Sequence, residues 1–121
     1  MSLRVYAYEK CDTCRKALRF LRERGVPHEV IPIREQPPTE AELRFVLGRV
    51  GEIRRLFNTS GQDYRAMGLG QKLPSLSTDD ALALLTQNGN LVKRPFAISE
   101  EWGASGFDEA AWAREFGGGP S

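Results

Sequence analysis

Within the first 25 residues the apolar period changes once, and two cysteines sit at the change. Leu3, Val5 and Ala7 alternate with Arg4, Tyr6 and Tyr8, the period of a strand. From Asp12 to Arg24 the set Cys14, Ala17, Leu18 and Leu21 recurs at i, i+3, i+4 and i+7, an amphipathic helix that Gly25 ends. Val26 to Ile33, rich in Val and Ile and broken only by Pro27 and Pro32, reads as a second strand. A helix between two strands implies parallel pairing through a right-handed crossover, so the chain opens β-α-β. That opening puts Cys11 at the exposed tip of the helix and Cys14 on its inward face.

This placement makes thiol redox chemistry the leading expectation. A pair spaced by two residues at a helix start closes a disulfide with little motion, and the free N–H groups there favour a thiolate on the first sulfur. Lys10, Arg15 and Lys16 surround it with positive charge. Residues 1–25 carry seven basic side chains against three acidic ones, whereas from Ser99 onward Arg114 faces five carboxylates. The cysteine end is therefore electropositive, which lowers a thiol pKa and attracts anionic partners. Arg19 and Arg22 read instead as the solvated face of the helix. Two cysteines and one distant His28, itself read as a polar strand residue, leave a zinc site a ligand short, so no metal is expected.

A length of 121 residues fits one domain, expected over 1–116, with 117–121 as a flexible Gly-rich tail. No apolar run reaches the length of a signal peptide core or the roughly 20 residues of a membrane span. A cytoplasmic monomer with no membrane contact is the expectation, and there a cysteine pair is kept reduced and is more often catalytic than structural. A net charge of +1 argues against direct nucleic-acid binding.

Pro37-Pro38 ends the extended segment, and Thr39-Glu40-Ala41-Glu42 is a capping box before Leu43, Val46, Leu47 and Val50. Tyr64 to Leu69 can form another helical turn or two, and Ser77 caps a helix with Ala81, Leu82, Leu84 and Leu85 that stops at Asn88-Gly89. Phe96-Ala97-Ile98 and Trp102 to Ser105 read as a hairpin, and Asp108 caps a last helix carrying Ala111, Trp112 and Phe116. Trp102 and Trp112 are read as packing residues. A CxxC pair at the first strand–helix junction of β-α-β, helices, β-β-α is the thioredoxin-like α/β layout with a helical insertion between its halves.

Four segments in this order, Cys11 to Ala17, Phe57-Asn58-Thr59-Ser60-Gly61 with Tyr64-Arg65, Lys93-Arg94-Pro95-Phe96, and Gly106-Phe107-Asp108-Glu109, resemble the ArsC/Spx/YffB group of thioredoxin-fold proteins. The resemblance runs from Leu3 to Phe116. It implies a nucleophilic Cys11 and matches Cys14 to the second cysteine of the Spx-type switches. It implies that Arg15 stabilises a thiolate or oxyanion, that Arg94 faces the active cysteine, and that Pro95 corresponds to the cis-proline of the fold. Two departures weaken the link to arsenate. Ala7 stands where the arsenate reductases have a histidine, and no arginine occurs near Asn58-Thr59-Ser60 before Arg65, which can lend one donor. The late arginine expected between Ile98 and Phe107 is absent as well, and an oxyanion needs several charge-assisted donors to offset its desolvation.

The leading reading is a thiol-disulfide oxidoreductase or redox-active thiol protein. Cys11 attacks a disulfide, sulfenic acid or glutathionylated substrate, and Cys14 resolves the adduct. The alternatives are an Spx-type regulator whose disulfide switches contact with the RNA polymerase alpha subunit, and an arsenate reductase working with glutathione and glutaredoxin. No bound cofactor is expected. Glutathione, glutaredoxin or thioredoxin are the candidate thiol partners, and Gly68-Leu69-Gly70 lacks the features of a dinucleotide loop.

Overall fold

The computed structural model describes residues 3–117. Strands β1 (Arg4–Ala7), β2 (Glu29–Pro32), β3 (Phe96–Ile98) and β4 (Gly103–Ser105) form one sheet in the order β2-β1-β3-β4. β1 runs parallel to β2, with Val5 opposite Val30, and antiparallel to β3, with Val5 opposite Ala97. β3 and β4 make the expected hairpin, Ala97 opposite Ala104.

Helices cover both faces of the sheet. Val5, Ala7 and Ala97 point to one side, where α1 (Asp12–Glu23) and α6 (Glu109–Phe116) bring Cys14, Ala17, Phe20, Leu21 and Trp112. Tyr6, Phe96 and Ile98 point to the other. There the insertion, α2 (Glu40–Val50), α3 (Gln62–Ala66), α4 (Leu69–Lys72) and α5 (Thr78–Gln87), contributes Leu43, Val46, Leu82 and Leu85. This is the thioredoxin-like α/β arrangement with its helical insertion. Because the sheet is covered twice, Tyr6 is buried although the alternation of β1 assigns it a polar, outward position.

The second strand is shorter than the Val26 to Ile33 expected from composition, and His28 is not part of it. The last turn of α1 closes as a Schellman motif, Gly25 N–H donating to Arg22 O at 3.1 Å and Val26 N–H to Leu21 O at 3.0 Å, with Gly25 at φ +66. Val26 is thus spent on the helix end, and His28 lies in the irregular stretch before β2 with Nδ1 2.8 Å from Val26 O. Trp102 also falls just outside β4. Both tryptophans are buried in the α1/α6 layer, as packing residues should be. The expected tail at 117–121 lies outside the described residues except for Gly117, which follows α6.

The caps read from sequence are formed. Thr39 and Glu42 make both bonds of a capping box on α2, Ser77 caps α5, and Asp108 caps α6. Glu42 does more than cap. Its carboxylate also accepts from Tyr6 Oη at 2.7 Å and pairs with Arg4, tying the insertion to β1.

Candidate functional site

Cys11 is the N-cap of α1. Its backbone is extended (φ −98, ψ 119), its N–H donates to Tyr8 O at 3.1 Å, and its carbonyl accepts from Arg15 N at 3.1 Å. Its Sγ accepts the Cys14 N–H at 3.3 Å, so the sulfur does what a Ser or Asp oxygen does at this position. The side chain is half-buried, less open than the exposed tip expected from sequence.

Cys14, one turn further, is 1% exposed and belongs to the apolar cluster of Val5, Ala17 and Trp112 on this side of the sheet. Burial pushes its thiol up to about 12, and hydrogen bonding to Cys11 and the Cys11 charge add to that. Hydrogen bonding at the Tyr8 backbone and the charge of Arg94 pull the other way. Cys14 is therefore a neutral, protonated thiol at neutral pH, directly behind Cys11. Both cysteines are free thiols.

In front of Cys11 lies a polar cleft of about 450 Å³. Cys11 and Thr13 form one side, Phe57 to Ser60 another, and Lys93, Arg94, Gly106 and Phe107 the rest. An isolated bridge between Phe57 and Val92 holds two of these segments together, with Asn58 N–H donating to Leu91 O at 2.7 Å and Lys93 N–H to Leu56 O at 2.8 Å. Gly106, at φ +83, lets the Lys93 stem pass where a Cβ would lie 2.7 Å from Lys93 Cε. The Arg94–Pro95 peptide is cis, Pro95 is buried, and its carbonyl accepts from Gly106 N at 2.8 Å. Arg94 Nη2 donates to Asn90 O at 3.0 Å, and its guanidinium carbon stands 5.7 Å from the centre of the Tyr8 ring.

Of the residues singled out from sequence, Cys11 and Arg94 share this cleft, Cys14 is buried one helical turn on at the floor of a separate groove, and Pro95 follows Arg94. Arg15 and Arg65 are placed elsewhere. The Arg15 guanidinium folds back to Glu9 O at 3.0 Å and Asp12 Oδ1 at 2.9 Å, on the wall of a separate, more apolar groove with Leu18 and Val30. Arg65 is exposed on α3 and lines neither opening. Lys93, Asn58 and Thr13 were not singled out as site residues by sequence reasoning, although each lies in one of the segments that carry the family resemblance. Among the described residues no three His, Cys, Asp or Glu side chains gather as metal ligands, and no helix is long and apolar enough to cross a membrane.

The sequence model of the ArsC family matches residues 6–115. This chain belongs to the ArsC family. The Bacillus subtilis (strain 168) protein YusI is 44% identical to it over 110 residues, which is 90% of this chain and 93% of YusI. A crystal structure of a Bacteroides fragilis protein superimposes with a TM-score of 0.88 at 34% identity, covering 94% of this chain and 97% of that one. A Staphylococcus aureus COL protein solved by NMR gives 0.81 at 42%, covering 93% and 96%. Within the family this chain is also similar to proteins of two different kinds. One is an arsenate reductase of Rhizobium meliloti (strain 1021), 28% identical over 82% of this chain and 70% of the relative. The other is the global transcriptional regulator Spx of Enterococcus faecalis (strain ATCC 700802 / V583), 28% identical over 88% and 80%.

Proposed function

We propose that this ArsC-family protein is a cytoplasmic thiol-disulfide oxidoreductase in which Cys11 is the nucleophile and Cys14 the resolving thiol. The observation that carries the reading is the division of the pair. One sulfur opens on a cation-lined cleft, and the other is buried, protonated and one helical turn behind it.

Cys11 attacks as its thiolate on one sulfur of a substrate disulfide, forming a Cys11–substrate disulfide and expelling the other half as a thiolate. Lys93 and Arg94 line the same cleft as Cys11 and supply positive charge where that thiolate forms. Once Cys11 is in a mixed disulfide its negative charge is gone, and with it one of the causes that raise the Cys14 thiol. Cys14 then gives its proton to the thiolate already expelled, attacks Cys11 Sγ and releases the second half as a thiolate with its electron pair. Two electrons pass from the dithiol to the substrate, and an external thiol restores the pair.

The test is a Cys14→Ser variant challenged with a small disulfide and read by mass spectrometry. It is expected to accumulate one stable adduct at Cys11, while wild type proceeds to an internal disulfide with no adduct. Failure of Cys14→Ser to hold an adduct sinks the assignment. The similarity to Spx favours a second reading, a redox-switched regulator that binds the RNA polymerase alpha subunit. Capture of the alpha C-terminal domain by only one redox state of the protein supports it, and binding in neither state removes it. Arsenate reduction has less support, since among the described residues Arg94 is the one arginine that lines the Cys11 cleft.

A further inference from the structure

Beside the Cys11 cleft lies a second, smaller one of about 270 Å³, and the two share Asn58 and Arg94 as a common wall. Arg34, Gln62, Asp63 and Asn90 complete it. Both arginines of this cleft also lie near one aromatic ring outside its lining, the Arg34 guanidinium carbon 4.8 Å and that of Arg94 5.7 Å from the centre of the Tyr8 ring. Tyr8 also accepts the Cys11 backbone N–H, so the residue that seats the arginines seats the sulfur's backbone as well. Among the described residues neither arginine has a carboxylate within 4 Å. The one acid in the cleft, Asp63, is turned to the amides of Asn88 at 3.0 Å and Asn90 at 3.4 Å. Two cations, one engaged acid and three side-chain amides line a concave polar wall next to a nucleophilic sulfur. Two cations lining one small cleft are stabilised by a shared anion, and a guanidinium fork suits a carboxylate best.

We infer that the Arg34/Arg94 cleft is a specificity subsite for the carboxylate of a peptide-like thiol whose sulfur is exchanged at Cys11. This deepens the oxidoreductase reading and rests on it. Arg94 borders both openings and orients the part of the substrate next to the sulfur. Arg34 is the residue that selects for the negative charge beyond it. Substrates of this class are small acidic thiols and their disulfides. The step read is one exchange: the Cys11 thiolate takes one half of the disulfide, the probe S–S bond breaks, a new S–S bond forms, and the other half leaves as a thiolate with its electron pair.

The experiment is done in a Cys14→Ser background so that the adduct persists. Two probes of equal size are compared, the disulfide of N-acetylcysteinylglycine, with one carboxylate on each half, and the same disulfide with both termini amidated. The readout is the ratio of the two rates of adduct formation at Cys11, which cancels any change in the reactivity of the sulfur itself. The ratio is expected to favour the acid in the parent and to fall roughly tenfold in Arg34→Gln, the size of one lost charge-assisted bond. Arg34→Lys should recover only part of it, because an ammonium keeps the charge and loses the fork. Arg19→Gln removes the same charge from the outer face of α1, in a different cleft, and should leave the ratio within about twofold of the parent if only long-range attraction is lost. Equal falls in Arg34→Gln and Arg19→Gln, or no fall in Arg34→Gln, overturn the subsite while leaving the thiol chemistry standing. No adduct from either probe overturns both.

Discussion

The two cysteines are the same side chain one helical turn apart, and their surroundings make them different reagents. Cys11 caps the helix with its sulfur, and Cys14 is buried in the apolar layer that includes Val5, Ala17 and Trp112. The raised Cys14 thiol has a consequence for stability. A group whose folded pKa exceeds its unfolded value contributes fully below the unfolded value, here about 9, and loses that contribution as pH rises toward about 12. Wild type compared with Cys14→Ala by urea denaturation should therefore show a stability difference that shifts against wild type by about 1 kcal/mol between pH 7 and pH 10. Tyr6, raised from 10.0 to about 12 chiefly by burial, titrates in the same window, but it is common to both proteins and cancels. A difference that stays constant with pH contradicts the burial argument.

Among the elements, α2 is held to β1 through one carboxylate. Burial alone would raise the Glu42 carboxyl, but hydrogen bonds from the Thr39 N–H, the Tyr6 hydroxyl and Arg4 outweigh it and hold the group below 4.5. The lowered folded pKa means that the linkage contributes above the unfolded value and is lost as pH falls through the folded one. Glu42→Gln is expected to cost about 2 kcal/mol at pH 7, since it removes the charge from three bonds at once. That cost should shrink below about pH 4.5 as the wild-type carboxylate takes up a proton. Chemical denaturation at pH 7 and pH 3.5 measures both values, and an equal cost at the two pH values would show that the charge is irrelevant. The box itself is legible in Thr39-x-x-Glu42 because capping acts across three residues. The bonds to Tyr6 and Arg4 are not, because they join elements far apart in the chain.

For the molecule as a whole, the cleft exists only because four separate segments meet, and one close contact helps fix how the insertion returns to the sheet. Gly89 presses on the turn after β2 so tightly that a Cβ there would lie 1.8 Å from Ile33 O. The next residue, Asn90, supplies the carbonyl that holds Arg94. Gly89→Ala is expected to destabilise the protein by about 3 kcal/mol or more, since backbone must move to relieve the overlap. Gly48→Ala, on α2 with nothing within 4 Å of the new Cβ, should instead stabilise by about 0.5–1 kcal/mol through helix propensity. Thermal melts of the two variants beside wild type give both signs in one comparison. A mild Gly89→Ala would mean that the packing of this turn is looser than the distances imply.

The β-α-β opening, the cysteine pair at its junction, the caps of α2, α5 and α6, and the closing hairpin are all legible in the sequence. Each rests on periodicity or on bonds that span three or four residues, and a string of residues shows such short-range order directly. The fate of individual charges is not of that kind. Arg15 stands four residues from Cys11 and turns away to Glu9 and Asp12, whereas Arg94, distant in the chain, faces the same cleft as the sulfur. Arg34 carries no sequence signal at all and shares a cleft with Arg94 only after the insertion has folded back on the sheet. Local order decides which thiol caps the helix. Only packing between remote segments, driven by burial on both faces of the sheet, decides which cations that thiol meets.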